Sequence, residues 1–118
     1  MKLTLNKVIV ASTALKNTPF KGTGVIDAAI NLARLSEPLK IIDSVREQLL
    51  NKHNDGSNKF ENPDSPKLAA FLEEFNAVVE KQQEDVELKV ISIDQVDSAR
   101  ATNQESLAEL IQLSIVKI

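Results

Sequence analysis

Two long stretches of the chain repeat their apolar residues at intervals of three and four, with a polar segment between them. The first stretch runs from Val25 to about His53, and the second runs from Pro66 to about Gln83. This spacing places the apolar side chains along one side of an α-helix, and that side has to be covered by another part of the protein. Each helix is the nearest cover for the other. The pattern therefore predicts an antiparallel helical hairpin.

Local signals mark the start of the second helix and the middle of the first. Ser65-Pro66 is typical of a helix start, because a hydroxyl stands at the cap position and proline stands at the first helical position, where its missing N–H costs nothing. Within the first helix, Pro38 has no N–H to donate and its ring crowds the preceding turn. We expect either a kink at Pro38 or two abutting helices, the second capped by Ser36.

The segment between the two helices contains the only histidine, His53, and the pair Asp55-Gly56. It does not follow the order of a calcium-binding loop, since no acidic residue stands five positions before Gly56 and no glutamate stands six after it. A lone histidine does not bind a metal tightly. We interpret His53 as a helix-end residue and Asp55-Gly56 as the turn that reverses the chain.

Two short stretches alternate polar and apolar residues, which predicts β-strands. They run from Lys2 to Leu5 and from Val86 to Val90. At Ile91 and Ile93 the apolar residues change parity, which favours a bulge or a strand that is covered on both faces. We expect the N-terminal strand and the strand at residues 86–93 to form one small sheet. The predicted fold class is α+β, with the helical hairpin packed on this sheet.

The region between the first strand and the hairpin is harder to assign. Asn6 is predicted to cap a helix that runs to about Leu15, although the run Val8-Ile9-Val10 also fits a continued strand. A loop follows, because Pro19 and two glycines gather there. Gly22-Thr23-Gly24 before a helix start could receive an anion, but this is far less than a phosphate-binding loop requires.

The C-terminal part is predicted to be a polar linker from Asp94 to Ala101 followed by an amphipathic helix. Thr102 and Glu105 fit the capping-box pattern at its start. We expect residues 1–97 to form the hairpin and sheet domain and residues 98–118 to form the linker and an interaction helix. The helix either folds back on the domain or docks on another chain in a groove. Its apolar side chains are the predicted partner-binding residues, Leu107, Leu110, Ile111, Ile115 and Ile118.

Charge and composition narrow the classes of function. The 118 residues carry 14 Lys and Arg against 17 Asp and Glu, a formal charge of −3, so the chain lacks a basic field that would gather phosphates. It contains no Cys, Trp or Tyr, and no apolar run approaches the length that spans a membrane. We expect no direct nucleic-acid binding, no membrane insertion and no cofactor.

Acidic residues gather on and after the second helix. They could be paired carboxylates for acid–base catalysis, but they lie off the apolar side, where no apolar pocket shifts their pKa. We interpret them as a solvated face. The residues are Glu73, Glu74, Glu80, Glu84, Asp85 and Glu87. No glycine-flanked elbow holds Ser44, Ser57 or Ser65, so no catalytic or metal-binding residue is predicted.

From Val25 to Asp97 the layout resembles that of uncharacterised small proteins encoded by tailed bacteriophages and prophages. The similar features are a helix that closes on an arginine, two leucines and a lysine, a polar turn at an Asp-Gly pair, a second helix with a Phe, and a glutamate-leucine strand. The matching positions are Arg46, Leu49, Leu50, Lys52, Asp55, Gly56, Phe75, Glu87, Leu88 and Ile93. Residues 98–118 extend beyond the usual closing strand, and the resemblance implies no catalytic residues.

We therefore expect a non-enzymatic phage accessory or virion assembly protein that acts through protein–protein contacts. Its expected partners are itself, as a homo-oligomer, or other phage proteins, in the host cytoplasm or the virion. The alternative is an acidic inhibitor of a host enzyme, in which residues 66–85 mimic the charge of nucleic acid. A small hydrolase or metal enzyme is the least favoured hypothesis.

Overall fold

The computed structural model describes residues 1–54, 59–60, 65–98, 100 and 104–118. Within these ranges, four α-helices pack together and short strands pair at two places, so the fold class is α+β as predicted. In chain order the elements are β1 (Lys2–Thr4), α1 (Leu5–Asn17), α2 (Thr23–Asn54), α3 (Pro66–Lys81), β2 (Gln83–Asp85), β3 (Ile91–Ser92), a 3-10 turn (Ile93–Gln95), α4 (Gln104–Gln112) and β4 (Val116–Lys117). No helix in the described ranges is long and apolar enough to cross a membrane.

The helices α2 and α3 form the predicted hairpin. Of the two alternatives predicted at Pro38, two abutting helices are excluded, because α2 continues through this buried proline. Ser36 caps no second helix, since its hydroxyl donates to the carbonyl oxygen of Ala33 at 2.6 Å. Pro66 stands at the start of α3 as expected, although the side chain of Ser65 makes no capping hydrogen bond. The Asp55-Gly56 turn lies outside the described residues.

Two apolar clusters hold the helices together. At the turn end of the hairpin, Leu49 and Leu50 of α2 pack against Phe71 of α3. The ring of Phe71 lies 5.9 Å from that of Phe60 and 5.8 Å from that of Phe75. The main core is built around α1 and combines residues from nearly every element: Leu3, Leu5, Val8, Ala11, Ala14, Leu15, Phe20, Ala28, Leu35, Ile42, Val79, Val86, Ile91, Val96, Leu110, Ile115 and Val116.

The helix alternative for the N-terminal region is confirmed. Val8, Ala11 and Leu15 are buried on one side of α1, as the spacing predicts. The predicted cap is wrong by two residues, because the hydroxyl of Thr4 accepts a hydrogen bond from the backbone N–H of Lys7 at 3.2 Å. Since Thr4 already ends β1, the chain passes from strand to helix without a loop.

The predicted single sheet is wrong. β1 pairs antiparallel with β2, with Lys2 opposite Asp85, and β3 pairs in parallel with β4, so the described strands form two separate pairs. The alternating segment from Val86 to Val90 is not a strand. The Val86 N–H donates to the carbonyl of Met1 at 2.8 Å, and further along the segment side chains of α2 bind the backbone: Asn31 donates to the carbonyl of Lys89 at 2.9 Å and accepts from the Lys89 N–H at 2.7 Å.

The C-terminal part differs most from the prediction. Residues 93–96, which include the first part of the predicted linker, are ordered against the domain: residues 93–95 form the 3-10 turn, and the buried Val96 pairs with Phe20 in a β-bridge. The last helix ends at Gln112 rather than reaching Ile118. Ser114 then takes a φ of +63°, which turns the chain into β4. Thr102 of the predicted capping box lies outside the described residues.

Candidate functional site

The five predicted partner-binding residues have very different exposures. Leu110 and Ile115 are 0% exposed and belong to the main core. Leu107 and Ile111 are half-buried against the same core, whereas Ile118 is 94% exposed. The tail therefore folds back on the domain, which is one of the two alternatives that the sequence left open. Of the five side chains, Ile118 is by far the most exposed.

Sequence reasoning did not single out two exposed apolar residues at the start of α2. Val25 is 53% exposed and Ile26 is 60% exposed. This end of α2 is fixed to the 3-10 turn, since the Lys21 N–H donates to the carbonyl of Gln95 at 2.8 Å and the Gln95 side chain donates to the Thr23 hydroxyl. Sequence periodicity places both residues in the helix. At a helix end, however, it does not indicate which side chains are covered by the rest of the protein and which face solvent.

The register of the last strand pair directs the exposed Ile118 toward this same end of the molecule. β3 and β4 are parallel, with Ser92 opposite Lys117, so both strands point toward the 3-10 turn that holds the start of α2. Ile118 follows Lys117 in that direction. We call Val25, Ile26 and Ile118 the apolar end. Single exposed apolar residues are ordinary, but several large ones at one end are typical of an interaction surface.

The start of α2 does not offer the anion site that Gly22-Thr23-Gly24 suggested. Gly22 takes a φ of +57° in the turn before the helix. A Cβ on Gly24 would lie 2.7 Å from the Cβ of Gln95, so this glycine serves close packing against the 3-10 turn. The Thr23 hydroxyl is bonded to the same Gln95. These residues lock the helix start in place, which explains the pair of glycines structurally.

The turn end of the hairpin holds a charged cluster that sequence reasoning missed. Glu74 of α3 lies 2.8 Å from the Lys52 ammonium and 2.5 Å from His53 Nε2, both at the end of α2. The hydrogen bond from Lys52, and after it the one from His53, lowers the pKa of the Glu74 carboxyl below its ordinary value. The interpretation of His53 as a helix-end residue is confirmed.

A signal for this cluster exists in the sequence. In an antiparallel hairpin, the last residues of one helix lie beside the first turns of the next, so Lys52 and Glu74 are complementary charges on facing helices. The prediction of a solvated acidic face is confirmed for Glu73 and Glu80, which are exposed, whereas Glu74 is partly buried and paired with Lys52. Among the residues that the structure describes, no group of three or more acidic or histidine side chains is placed to hold a metal ion.

Comparisons of the chain with protein-family models, with curated proteins and with solved structures found no match.

Proposed function

We propose that the protein is non-enzymatic and acts through protein–protein contacts, as an accessory or assembly component of a tailed phage. Its partners are further copies of itself or other phage proteins, in the host cytoplasm or in the virion. The apolar end is the observation that supports this proposal most. Val25, Ile26 and Ile118 are each more than half exposed, and covering them with a partner would remove their apolar surface from water.

The resemblance over residues 25–97 supports the phage setting. The hairpin that carries the resemblance is the part whose architecture agrees with the sequence pattern, including the closing leucines Leu49 and Leu50 and the second-helix residue Phe75. In the structure these residues belong to the apolar cluster around Phe71 at the turn end of the hairpin. They stabilise the fold, so the partner contact is proposed for the opposite, apolar end.

The alternative of an acidic inhibitor gains less support. A nucleic-acid mimic needs several carboxylates that are free to meet a basic protein surface. Glu73 and Glu80 on α3 are exposed, but Glu74 between them is paired with Lys52 and His53. Glu74 is one of the five carboxylates in residues 66–85, and a second, Asp85, is paired with the N-terminal ammonium at 3.2 Å.

The proposal is tested by making the apolar end polar. We expect the double variant Val25→Gln, Ile26→Gln to keep its circular dichroism spectrum and to lose binding to purified products of neighbouring phage genes in light scattering and mass photometry. The matched control is Leu72→Gln, because Leu72 is an exposed apolar residue on α3. Equal binding by wild type and the double variant, or no complex of wild type with any of these proteins, would overturn the proposal.

Truncation after Ala101, the simplest way to remove the tail, is unsuitable for this test. It would remove Leu110 and Ile115 from the main core and leave a cavity in the domain. Loss of binding in that variant would report unfolding rather than contact.

A further inference from the structure

A groove of about 300 Å³ runs between α1 and the first half of α4. Half-buried Ile9 and Val10, together with buried Ala14, give it an apolar floor. Glu105 and Glu109 of α4 stand along one side and are exposed. This volume is at the lower limit of the range of about 300–1,000 Å³ that is typical of small-molecule sites. A few side chains of a protein partner would fill it.

The two glutamates of the groove carry uncompensated charge. Glu105 and Glu109 are four residues apart on α4, so they lie on the same side of the helix and repel each other. Neither carboxylate has an ion-pair partner among the residues that the structure describes. A cation brought to this side of the groove would relieve the repulsion. The groove therefore fits a partner that presents positive charge beside apolar side chains.

The outer face of α1, on the other side of the groove, presents that combination. The helical repeat places Lys7 and Lys16 at the two edges of the face that carries Ile9 and Val10. Both lysines are exposed, and neither has an ion-pair partner in the described ranges. One surface thus contains an acidic groove and a basic helix face with apolar residues between them, which is the self-complementarity that a two-fold dimer interface needs.

We infer that two copies of this chain form a two-fold dimer in which α1 of each copy lies over the α1–α4 groove of the other. Glu105 and Glu109 of one copy meet the lysine, Lys7 or Lys16, at the edge of α1 that faces them in the second copy, and Ile9 and Val10 are buried at the centre. The inference rests on the proposed function and names one partner for it, at a surface distinct from the apolar end. Because the contact is small and has exposed ion pairs, the dimer is weak and weakens further with salt.

Complementary charge reversal tests the dimer. One double variant carries Glu105→Lys and Glu109→Lys, and the other carries Lys7→Glu and Lys16→Glu. In sedimentation velocity up to millimolar concentration, we expect the dissociation constant of the dimer to be up to about tenfold higher for each variant alone than for wild type, since like charges then face each other. Mixed together, the two variants form a heterodimer, because every facing pair is again of opposite sign.

Matched controls separate this contact from a general effect of net charge. Glu73→Lys with Glu80→Lys, and Lys67→Glu with Lys81→Glu, make the same charge changes at exposed positions of α3. We expect each control to dimerise like wild type. Circular dichroism shows whether every variant has kept its helices, so a variant that fails to fold is recognised and is replaced by the single substitutions Glu109→Lys and Lys16→Glu.

The outcomes that overturn the inference differ from those that overturn the proposed function. A wild type that stays monomeric at low salt, or a dimer that ignores both charge reversals, rules out the α1–α4 contact. If the Val25→Gln, Ile26→Gln variant loses partner binding in the same experiments, the proposed function stands. If that variant keeps all its partner binding while the charge reversals abolish dimerisation, the proposed role of the apolar end is overturned and the α1–α4 contact stands.

Discussion

At the scale of single residues, Glu74 links the two helices of the hairpin by its charge. Hydrogen bonds from Lys52 and His53 favour its ionised form, so its pKa in the folded protein lies below the ordinary value of 4.5. The unfolded chain therefore binds a proton at this group at a higher pH than the folded chain does. The stabilising effect is complete above the unfolded pKa and is lost as the pH falls through the folded pKa.

The Glu74→Gln variant checks this linkage. We expect wild type to be more stable than the variant at neutral pH in urea denaturation, and the difference to shrink as the pH falls below 4.5. Glu73→Gln is the control, because Glu73 lies next to it on α3 and is exposed. A difference between wild type and Glu74→Gln that stays constant from neutral pH to strongly acidic pH would contradict the prediction.

Asn31 explains at the same scale why one prediction from the sequence is wrong. Val86 to Val90 alternates like a strand, but the buried amide of Asn31 pairs with both backbone groups of Lys89, and Arg34 donates to the carbonyl of Glu87 at 2.8 Å. These side chains supply the hydrogen bonds that a neighbouring strand would supply. Alternation correctly predicts that Val86 is buried but not that Val90 is 51% exposed, and it does not indicate what satisfies the backbone.

At the scale of elements, the end of α4 depends on a residue in a conformation that is unusual for its type. Ser114 has a φ of +63°, the Ser114 N–H donates to the carbonyl of Ile111 and the Ile115 N–H donates to that of Leu110. This is a Schellman motif, and its apolar contact is made by the fully buried pair Leu110 and Ile115. Glycine usually occupies the position of Ser114, because an L side chain is strained there.

We predict that Ser114→Gly raises the free energy of unfolding by up to about 1 kcal/mol, because it removes this strain at some cost in chain entropy. Ser114→Val is expected to lower it, since a β-branched residue tolerates positive φ least. Urea denaturation of the two variants and wild type gives both values. If Ser114→Gly is clearly less stable than wild type, the side chain of Ser114 has a role other than ending the helix.

The elements that the sequence predicts well are those whose boundaries have their own chemical signals. The long apolar periodicity identifies α2 and α3, and Pro66 fixes the start of α3 within a residue. The end of α4 has no such signal, because a serine stands where glycine would mark the turn, so apolar periodicity alone extended the helix to Ile118. The sequence does not predict the pairing of β3 with β4 either, because each strand has two residues, too few to show alternation.

At the scale of the whole molecule, the C-terminal residues are part of the main core. Leu110, Ile115 and Val116 belong to the same apolar cluster as Val8 and Leu15 of α1. The sequence predicts a linker and an interaction helix over residues 98–118, and it leaves open whether this helix folds back on the domain or docks on another chain. The apolar side chains of such a segment can be buried either against a partner or against the core of their own domain, and the sequence alone does not distinguish these two kinds of burial.

One pair of substitutions tests whether the tail and the rest of the chain unfold together. Leu110 is 0% exposed, so Leu110→Ala removes apolar contacts inside the domain and we expect it to lower the free energy of unfolding by about 2–5 kcal/mol. Ile118 is 94% exposed, so Ile118→Ala is expected to change it by less than about 0.5 kcal/mol.

The shape of the unfolding curve carries the rest of the test. If α4 and β4 are integral to the domain, circular dichroism and the fluorescence of an extrinsic probe on α3 report one shared transition, and Leu110→Ala shifts both signals equally. A separate interaction helix predicts a different result: Leu110→Ala would change only an early, small loss of helicity and leave the transition at α3 in place. Because α4 packs mainly against α1, equal shifts of both signals would show that the whole chain folds as one cooperative unit.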